Sequence, residues 1–264
     1  MDGDAVDAKD NSGNANSTGR TVILVHGYGV RGSFWDKLKP RLEQSGISVI
    51  APDLAGDSPE DLAKQIEALV RRESPGAPVM LVGHSLGGIL CSLVASRVDT
   101  AIVSHVAVIA APFGGRARKL NPIVRFLIRF RLLPQFLVRP RFFSAATAKA
   151  DQKRWFARAV PESPRLQSVL FAEGWFPAEA FSSPLSQRTL VIYSEADRIV
   201  EASATAEFAR ALGAEELVFP LRRAVGHNDF AASDGVADEV AGELLRFFEV
   251  EGLDTGAHAA GSGA

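Results

Sequence analysis

Short, almost continuous apolar segments alternate along the chain with segments in which the apolar residues are three or four positions apart. The first pattern is typical of buried β-strands, and the second is typical of helices with one apolar face. Strands are predicted over residues 21–26, 47–51, 78–82, 102–110, 189–193 and 216–219. Helices are predicted over residues 33–42, 62–70, 86–98, 202–212 and 236–248, the first of them kinked at Pro40 or beginning late. The alternation predicts an α/β fold with a mostly parallel sheet covered by helices on both faces.

The alternation breaks between Phe113 and Ser186, where helical patterns and many aromatic residues occur without a clear strand. A plain connection of this length is uncommon in a compact domain. We therefore predict a core formed by residues 20–112 and 187–251, with residues 113–186 inserted as a helical lid. Residues 1–19 and 252–264 are predicted to be disordered tails, because they cannot bury enough apolar surface to offset the cost of ordering.

The overall composition is that of an ordinary globular protein. Of the 264 residues, 47% are apolar and 23% are charged, and the net charge of −2 is unlike that of a basic nucleic-acid-binding domain. Cys91 is the single cysteine, so no internal disulfide can form. The first segment lacks the apolar centre of a signal peptide, and no apolar run reaches the ~18 residues of a membrane-spanning helix. We therefore expect a soluble, cytoplasmic protein.

One short motif places a serine between glycines at the junction of a predicted strand and a predicted helix. It reads Gly83-His84-Ser85-Leu86-Gly87, which is a G-x-S-x-G pattern. The glycines two residues before and after the serine let neighbouring backbone pass without a clash with a Cβ atom. The hydroxyl is then held out at the carboxyl edge of the sheet, where α/β folds place their sites. Ser85 is therefore the candidate nucleophile, and the alternative is a glycine-rich turn with a capping serine.

A serine hydroxyl needs a general base, and His227 is the best placed of the five histidines. It follows the last predicted strand and precedes the last predicted helix, which is where the base lies in folds with the chain order Ser, Asp, His. His84 is interpreted as an elbow residue that the turn directs elsewhere, and His26 as the end of a strand. His105 is interpreted as a structural residue within a strand, and His258 lies in the predicted tail.

The acid that orients the base should follow a late strand and precede the histidine. Asp197 meets both conditions, because it lies in the turn beyond the strand predicted at 189–193. Glu195 and Asp229 stay open as alternatives. Glu195 lies nearer the strand end, and Asp229 is only two residues from His227, which is awkward for reaching the far ring nitrogen.

Two backbone N–H groups are candidates for binding an oxyanion. The N–H of Leu86 lies at the start of the helix that follows the serine. The N–H of Tyr28 lies in the run His26-Gly27-Tyr28-Gly29, in which two glycines let the chain fold close to Ser85. A preorganised donor of this kind is typically worth about 3 kcal/mol of transition-state stabilisation. The alternative for this run is an ordinary glycine turn.

These motifs, in this order, resemble the α/β-hydrolase superfamily and, within it, its lipase and esterase-like members. The matching runs are residues 26–29, 83–88, 194–200 and 226–227, and the resemblance extends over about residues 20–250. It implies an eight-stranded, mostly parallel sheet with a variable lid, and it assigns the nucleophile, acid and base to Ser85, Asp197 and His227. Residues 54–58 and Ser194 depart from runs common among such proteins, which leaves the subfamily open.

Basic and apolar residues are concentrated in the predicted lid. From residue 113 to residue 158, twelve Lys or Arg residues stand against one acidic residue, Asp151. A helical pattern over residues 123–133 gathers apolar side chains largely on one face, away from Arg125 and Arg129. The apolar face predicts a roof over an acyl pocket, whereas the basic face fits either contact with an anionic membrane or carrier or a simple solvated surface. The candidate substrate-binding residues are Phe113, Phe126, Phe130 and Trp155.

The sequence thus predicts a serine hydrolase that cleaves a carboxylic ester of a hydrophobic acyl substrate through an acyl-enzyme. No metal-ligand spacing or phosphate-binding loop is found, so neither a metal nor a cofactor is expected. The expected partner is a small hydrophobic ester or thioester rather than a nucleic acid, and the oligomeric state is left open. A thioesterase or acyltransferase with the same triad, a C–C hydrolase or lactonase, and a non-catalytic binding protein on the same scaffold remain alternatives.

Overall fold

The computed structural model describes residues 19–113, 135–170, 172 and 175–249. Most of the predicted tails and the predicted substrate residues Phe126 and Phe130 lie outside this part of the chain. The fold prediction and the main site predictions fall within it.

A six-stranded parallel sheet forms the centre of the described structure, in the order β2-β1-β3-β4-β5-β6. Each of the six predicted apolar segments overlaps one strand, which confirms the α/β fold. The resemblance implied eight strands, but the described residues form six, and all of their pairings are parallel. The strands are β1 Thr21–Val25, β2 Ser48–Ile50, β3 Val79–His84, β4 Val103–Ile109, β5 Arg188–Ser194 and β6 Glu215–Phe219.

Nine α-helices and three 3₁₀ turns accompany the sheet in the described ranges. The α-helices are α1 Leu38–Glu43, α2 Pro59–Glu73, α3 Leu86–Ala95, α4 Gln135–Phe142, α5 Lys149–Ala157, α6 Pro164–Leu170, α7 Ala202–Leu212, α8 Asp229–Ala232 and α9 Asp234–Phe247. The 3₁₀ turns are Gly32–Trp35, Ala178–Phe181 and Leu221–Arg223. No helix within these ranges is long and apolar enough to cross a membrane.

The interrupted first helix shows how a proline is accommodated. The segment divides into the 3₁₀ turn Gly32–Trp35 and the helix α1, which begins at Leu38. Pro40 therefore lies in the first turn of α1, where its missing N–H has no intrahelical partner to lose. Of the two alternatives considered for this segment, the late beginning is the one observed.

Both faces of the sheet are buried, because alternate residues of each strand point to opposite sides. Ile23 and Leu81 belong to a cluster that includes apolar residues of α2, α3 and α7. Leu24 and Val82 belong to a second cluster, which includes residues of α1 and α9. This two-sided burial explains why the strands are almost continuously apolar.

The sheet order determines where a site can form. From β1 the chain moves outward to β2 and then returns to β3 on the other side of β1. The carboxyl ends of β1 and β3 therefore flank a topological switch point, where open α/β sheets place their ligand sites. The described part of the inserted segment is helical and holds no strand. That it covers the site as a lid stays a prediction.

Candidate active site

Ser85 is the single residue between β3 and α3, and its backbone is strained. Its dihedral angles are φ 55° and ψ −120°. A non-glycine residue with positive φ is uncommon, and such strain persists only where the surroundings hold it in place. Here the Ser85 N–H donates to Ile109 O at 2.8 Å, at the end of the neighbouring strand β4. The sharp turn leaves Ser85 half-buried at the carboxyl edge of the sheet.

The two glycines of the elbow leave no room for a side chain. A Cβ atom on Gly83 would lie 2.3 Å from Gly87 O, inside the elbow itself. A Cβ atom on Gly87 would lie 2.3 Å from Val25 O, at the end of β1. Since both neighbours are backbone atoms, they cannot move aside as a flexible side chain would. The close approach of α3 to β1 therefore requires glycine at position 87.

We expect Gly87→Ala to destabilise the protein by about 3 kcal/mol, a fall in Tm of roughly 6–12 °C, because the added methyl group separates α3 from β1. Thermal unfolding measures the effect. The matched control is Gly242→Ala in α9, where an added Cβ has no atom within 4 Å. That variant should gain about 0.5–1 kcal/mol, because alanine has the higher helix propensity. Equal stability of the two variants would contradict the packing argument.

The side chains of His227 and Asp197 meet at this edge of the sheet. His227 Nδ1 lies 2.7 Å from Asp197 Oδ2, and the two side chains are 4% and 2% exposed. Asp197 follows β5 by a short turn, and its Oδ1 accepts the N–H groups of Ile199 at 2.7 Å and Val200 at 3.0 Å. Because these N–H groups hold the carboxylate, its other oxygen is kept directed at the imidazole.

The two alternative acids are engaged elsewhere. Glu195 is exposed, and its Oε2 accepts the N–H of Leu221 at 2.8 Å. Asp229 is fully buried and forms no bond to the His227 ring within the described part of the chain. Its carboxylate accepts the N–H and hydroxyl of Ser144, the hydroxyl of Thr147 at 2.6 Å and the N–H of Gly226 at 2.8 Å. Asp229 thus anchors the loop that carries His227 to the inserted segment.

His84, interpreted from the sequence as directed elsewhere, lies beside His227. The two ring centroids are 4.6 Å apart, and His84 Nε2–H donates to the backbone oxygen of His227 at 2.8 Å. Complete burial, followed by the nearby His227 imidazole, holds the pKa of His84 well below its usual range. His84 therefore stays neutral and supports the loop of His227. No local sequence pattern reveals this contact, which joins residues 143 positions apart.

His26 orients the peptide group that carries the Tyr28 N–H. His26 Nε2 accepts the N–H of Leu54 at 3.0 Å, so the ring proton lies on Nδ1, which donates to Gly27 O at 2.9 Å. Burial lowers the pKa of His26 and thereby favours the neutral form of the ring. Gly27 O and the Tyr28 N–H belong to one trans peptide group and point in opposite directions.

The same loop lies against the elbow. A Cβ atom on Gly27 would lie 3.1 Å from His84 O and 3.2 Å from Ser85 Cβ. The loop after β1 therefore runs beside Ser85, as the two glycines in the run 26–29 predicted. Leu86 is the first residue of α3, so its N–H is among those that a helix cannot satisfy internally.

Aromatic side chains surround the two histidines. Phe34 stacks on His84 with centroids 4.6 Å apart, and Trp155 packs edge-on against Phe34 at 5.8 Å. Phe142, which was not singled out as a candidate, lies 6.1 Å from the His227 ring. Phe113 instead packs against Phe208 of α7 and against Phe176, which both belong to the first core cluster. The roles of Phe113 and Trp155 in binding substrate stay predictions.

Within the residues that the structure describes, no group of three or more His, Cys, Asp or Glu side chains could hold a metal ion. Cys91 is fully buried in α3, and burial raises the pKa of its thiol, which disfavours the nucleophilic thiolate. The side chains at this edge of the sheet are the hydroxyl of Ser85, the imidazole of His227 and the carboxylate of Asp197, of which the last two are hydrogen-bonded to each other.

Comparison with known proteins identifies chains of similar sequence and fold. A model described as "Alpha/beta hydrolase family" matches residues 22–241. Salicylic acid-binding protein 2 of Nicotiana tabacum is 35% identical over 36% of this chain and 40% of its own length. Methylesterase 3 of Arabidopsis thaliana is 36% identical over 34% of this chain and 38% of its own length.

The matching part of the chain therefore spans about two-fifths of the length of these curated relatives. Among solved structures, a lipase-esterase related protein from Clostridium acetobutylicum superposes with a TM-score of 0.71 at 15% identity. The match covers 88% of this chain and 96% of that protein. At this level of identity the superposition establishes the similarity of fold.

Proposed function

The chain belongs to the alpha/beta hydrolase family, and on that premise we propose that it is a serine hydrolase which cleaves a carboxylic ester of a hydrophobic acyl substrate. The observation that carries the proposal is the 2.7 Å contact between His227 Nδ1 and Asp197 Oδ2, on loops at the sheet edge where the elbow holds Ser85. A carboxylate on Nδ1 leaves Nε2 as the basic nitrogen, which is the arrangement that activates a serine.

The reaction proceeds in two halves. His227 Nε2 accepts the hydroxyl proton while Ser85 Oγ attacks the ester carbonyl, and Asp197 stabilises the imidazolium that forms. The N–H groups of Leu86 and Tyr28 donate to the oxyanion of the tetrahedral intermediate. The imidazolium then protonates the departing alkoxide, and the alcohol leaves. Water, deprotonated by His227, attacks the acyl-enzyme, and the acid is released as Ser85 regains its proton.

Two observations favour a hydrophobic ester as substrate, one for the ester group and one for its apolar part. The chain has relatives named methylesterase, and one similar solved structure is named a lipase-esterase related protein. In addition, Phe142 lies beside the ring of His227 and packs against Phe156, both on the inserted segment. Apolar walls with a few polar groups at the reacting centre are typical of sites for hydrophobic small molecules.

Hydrolysis of p-nitrophenyl esters from acetyl to palmitoyl tests the substrate class. We expect kcat/KM to rise with chain length beyond acetyl, because each buried methylene contributes about 0.8 kcal/mol until the pocket is filled. In parallel, a fluorophosphonate probe should form a covalent adduct that mass spectrometry locates on Ser85. Labelling without ester turnover would show a reactive serine but a wrong substrate class. Absence of both would contradict the proposal.

A further inference from the structure

One buried carboxylate of the inserted segment reaches the loop that follows β1. Glu162, between α5 and α6, accepts the N–H of Gly29 on Oε1 at 2.9 Å. The same oxygen accepts Arg31 Nη1 at 3.0 Å, and the Glu162 side chain is only 6% exposed. These residues lie more than 130 positions from Glu162, so the contact is made by the fold and not by local sequence.

The inserted segment also holds the carbonyl group of the same glycine. The Val160 N–H donates to Gly29 O at 2.9 Å. Gly29 has φ +76°, a conformation that side-chain-bearing residues rarely adopt. Both backbone polar groups of Gly29 are therefore bonded to residues 160–162. The conformation of the loop at this point depends on the insert.

Gly29 lies next to the proposed oxyanion donor. The Tyr28 residue is flanked by two peptide groups, and each is held by a different contact. The peptide before it is oriented by His26, which donates to Gly27 O. The peptide after it is held by Glu162, which accepts the Gly29 N–H. With both peptides held, the φ and ψ of Tyr28 are restrained, and with them the direction of its N–H.

We propose that Glu162 is a positioning residue for the second oxyanion donor, and the proposal rests on the function assigned above. Glu162 acts through Gly29 and does not touch the reacting atoms. A carboxylate near a developing oxyanion would by itself oppose the negative charge. Arg31, at 3.0 Å from the same oxygen, offsets that charge, so the carboxylate can hold the loop without an electrostatic penalty at the oxyanion.

The test is a set of four variants assayed with the best p-nitrophenyl ester. Glu162→Ala removes the acceptor, and its kcat should fall about tenfold with KM within about twofold, a part of the 10²–10³-fold effect of losing a whole donor. Glu162→Gln keeps an acceptor oxygen and should recover most of the rate. Arg31→Gln keeps the Gly29 contact but leaves the Glu162 charge uncompensated, so its kcat should fall, and by less than the tenfold expected of Glu162→Ala. Glu60→Ala removes a carboxylate ion-paired with Arg97 on the surface and should match the wild type.

Two further readouts separate positioning from a general loss of structure. Inhibition by a trifluoromethyl ketone, which forms a tetrahedral oxyanion on the serine, should weaken in Glu162→Ala by the same factor as kcat. Hydrogen exchange of the Gly29 amide should become faster in the same variant, and it needs no turnover. If Glu162→Ala does not fold, Glu162→Met, which keeps the length of the side chain without its oxygens, takes its place with the same expectations.

The outcomes distinguish this proposal from the proposed function. If the wild type is active and Glu162→Ala behaves like Glu60→Ala, or loses kcat without weaker ketone inhibition, the positioning role is overturned. If the wild type and a serine-less variant are equally inert, the proposed function fails. Even in that case, hydrogen exchange still tests the contact itself. If the Gly29 amide exchanges equally fast in Glu162→Ala and in the wild type, Glu162 does not hold the loop.

Discussion

Replacing Ser85 with alanine is expected to lower kcat for an activated ester by about 10⁵-fold or more, as removal of the nucleophile does in a serine protease. The variant has no atom that can form the acyl-enzyme, and only the oxyanion donors and binding remain. The fold should be unaffected, because alanine has a Cβ in the same place and meets the same strained φ of 55°. Steady-state hydrolysis measured beside thermal unfolding gives both quantities.

The matched control is Ser92→Ala on the same helix. Ser92 is fully buried, and its hydroxyl donates to Gly88 O at 2.9 Å, which makes it a structural serine of α3. Its loss should change kcat by no more than about twofold, because the hydroxyl is remote from the chemistry. A Ser85→Ala variant that retains a hundredth of the activity would show that another group carries the reaction.

The local part of the site is predictable because it depends on residues that are close together in the sequence. Strand, glycine spacing and helix together predicted the elbow at Ser85, and the backbone there is indeed strained. Asp197 and His227 were placed by their order after late strands, and the fold brings their side chains to 2.7 Å. Parallel strands make such inferences possible, because their carboxyl ends gather at one edge.

The contacts that support the site are different in kind. His84 meets the carbonyl of His227, Asp229 meets Ser144 and Thr147, and Glu162 meets Gly29. Each pair joins segments 82 or more residues apart, and none belongs to a spacing motif. The charge pattern of residues 113–158 bears on the outer surface of the inserted segment. The buried contacts of that segment with the core loops depend instead on tertiary packing. The resemblance implied eight strands, whereas the apolar segments predicted six, which is the number that the described residues form.

The Asp197→Asn variant should lower kcat by about 10⁴-fold, as the equivalent change does in a serine protease triad. The reason lies in the two N–H groups on Asp197 Oδ1, from Ile199 and Val200. Both are donors, so an asparagine must present its amide oxygen to them and its NH₂ group to His227. His227 Nδ1 then has to accept, the ring proton moves to Nε2, and Nε2, which is the proposed base, can no longer take the proton of Ser85.

Glu195→Gln is the control for this change, because Glu195 lies in the same turn and is bonded to Leu221 instead of a histidine. It should leave kcat within about twofold, since an exposed carboxylate interacts weakly with a distant imidazole. Tautomer-sensitive ¹⁵N spectra of His227 supply the direct measurement: the proton should lie on Nδ1 in the wild type and on Nε2 in Asp197→Asn. A variant that loses activity while its proton stays on Nδ1 would refute the tautomer argument. A variant that keeps both activity and the wild-type tautomer would show that Asp197 does not orient His227.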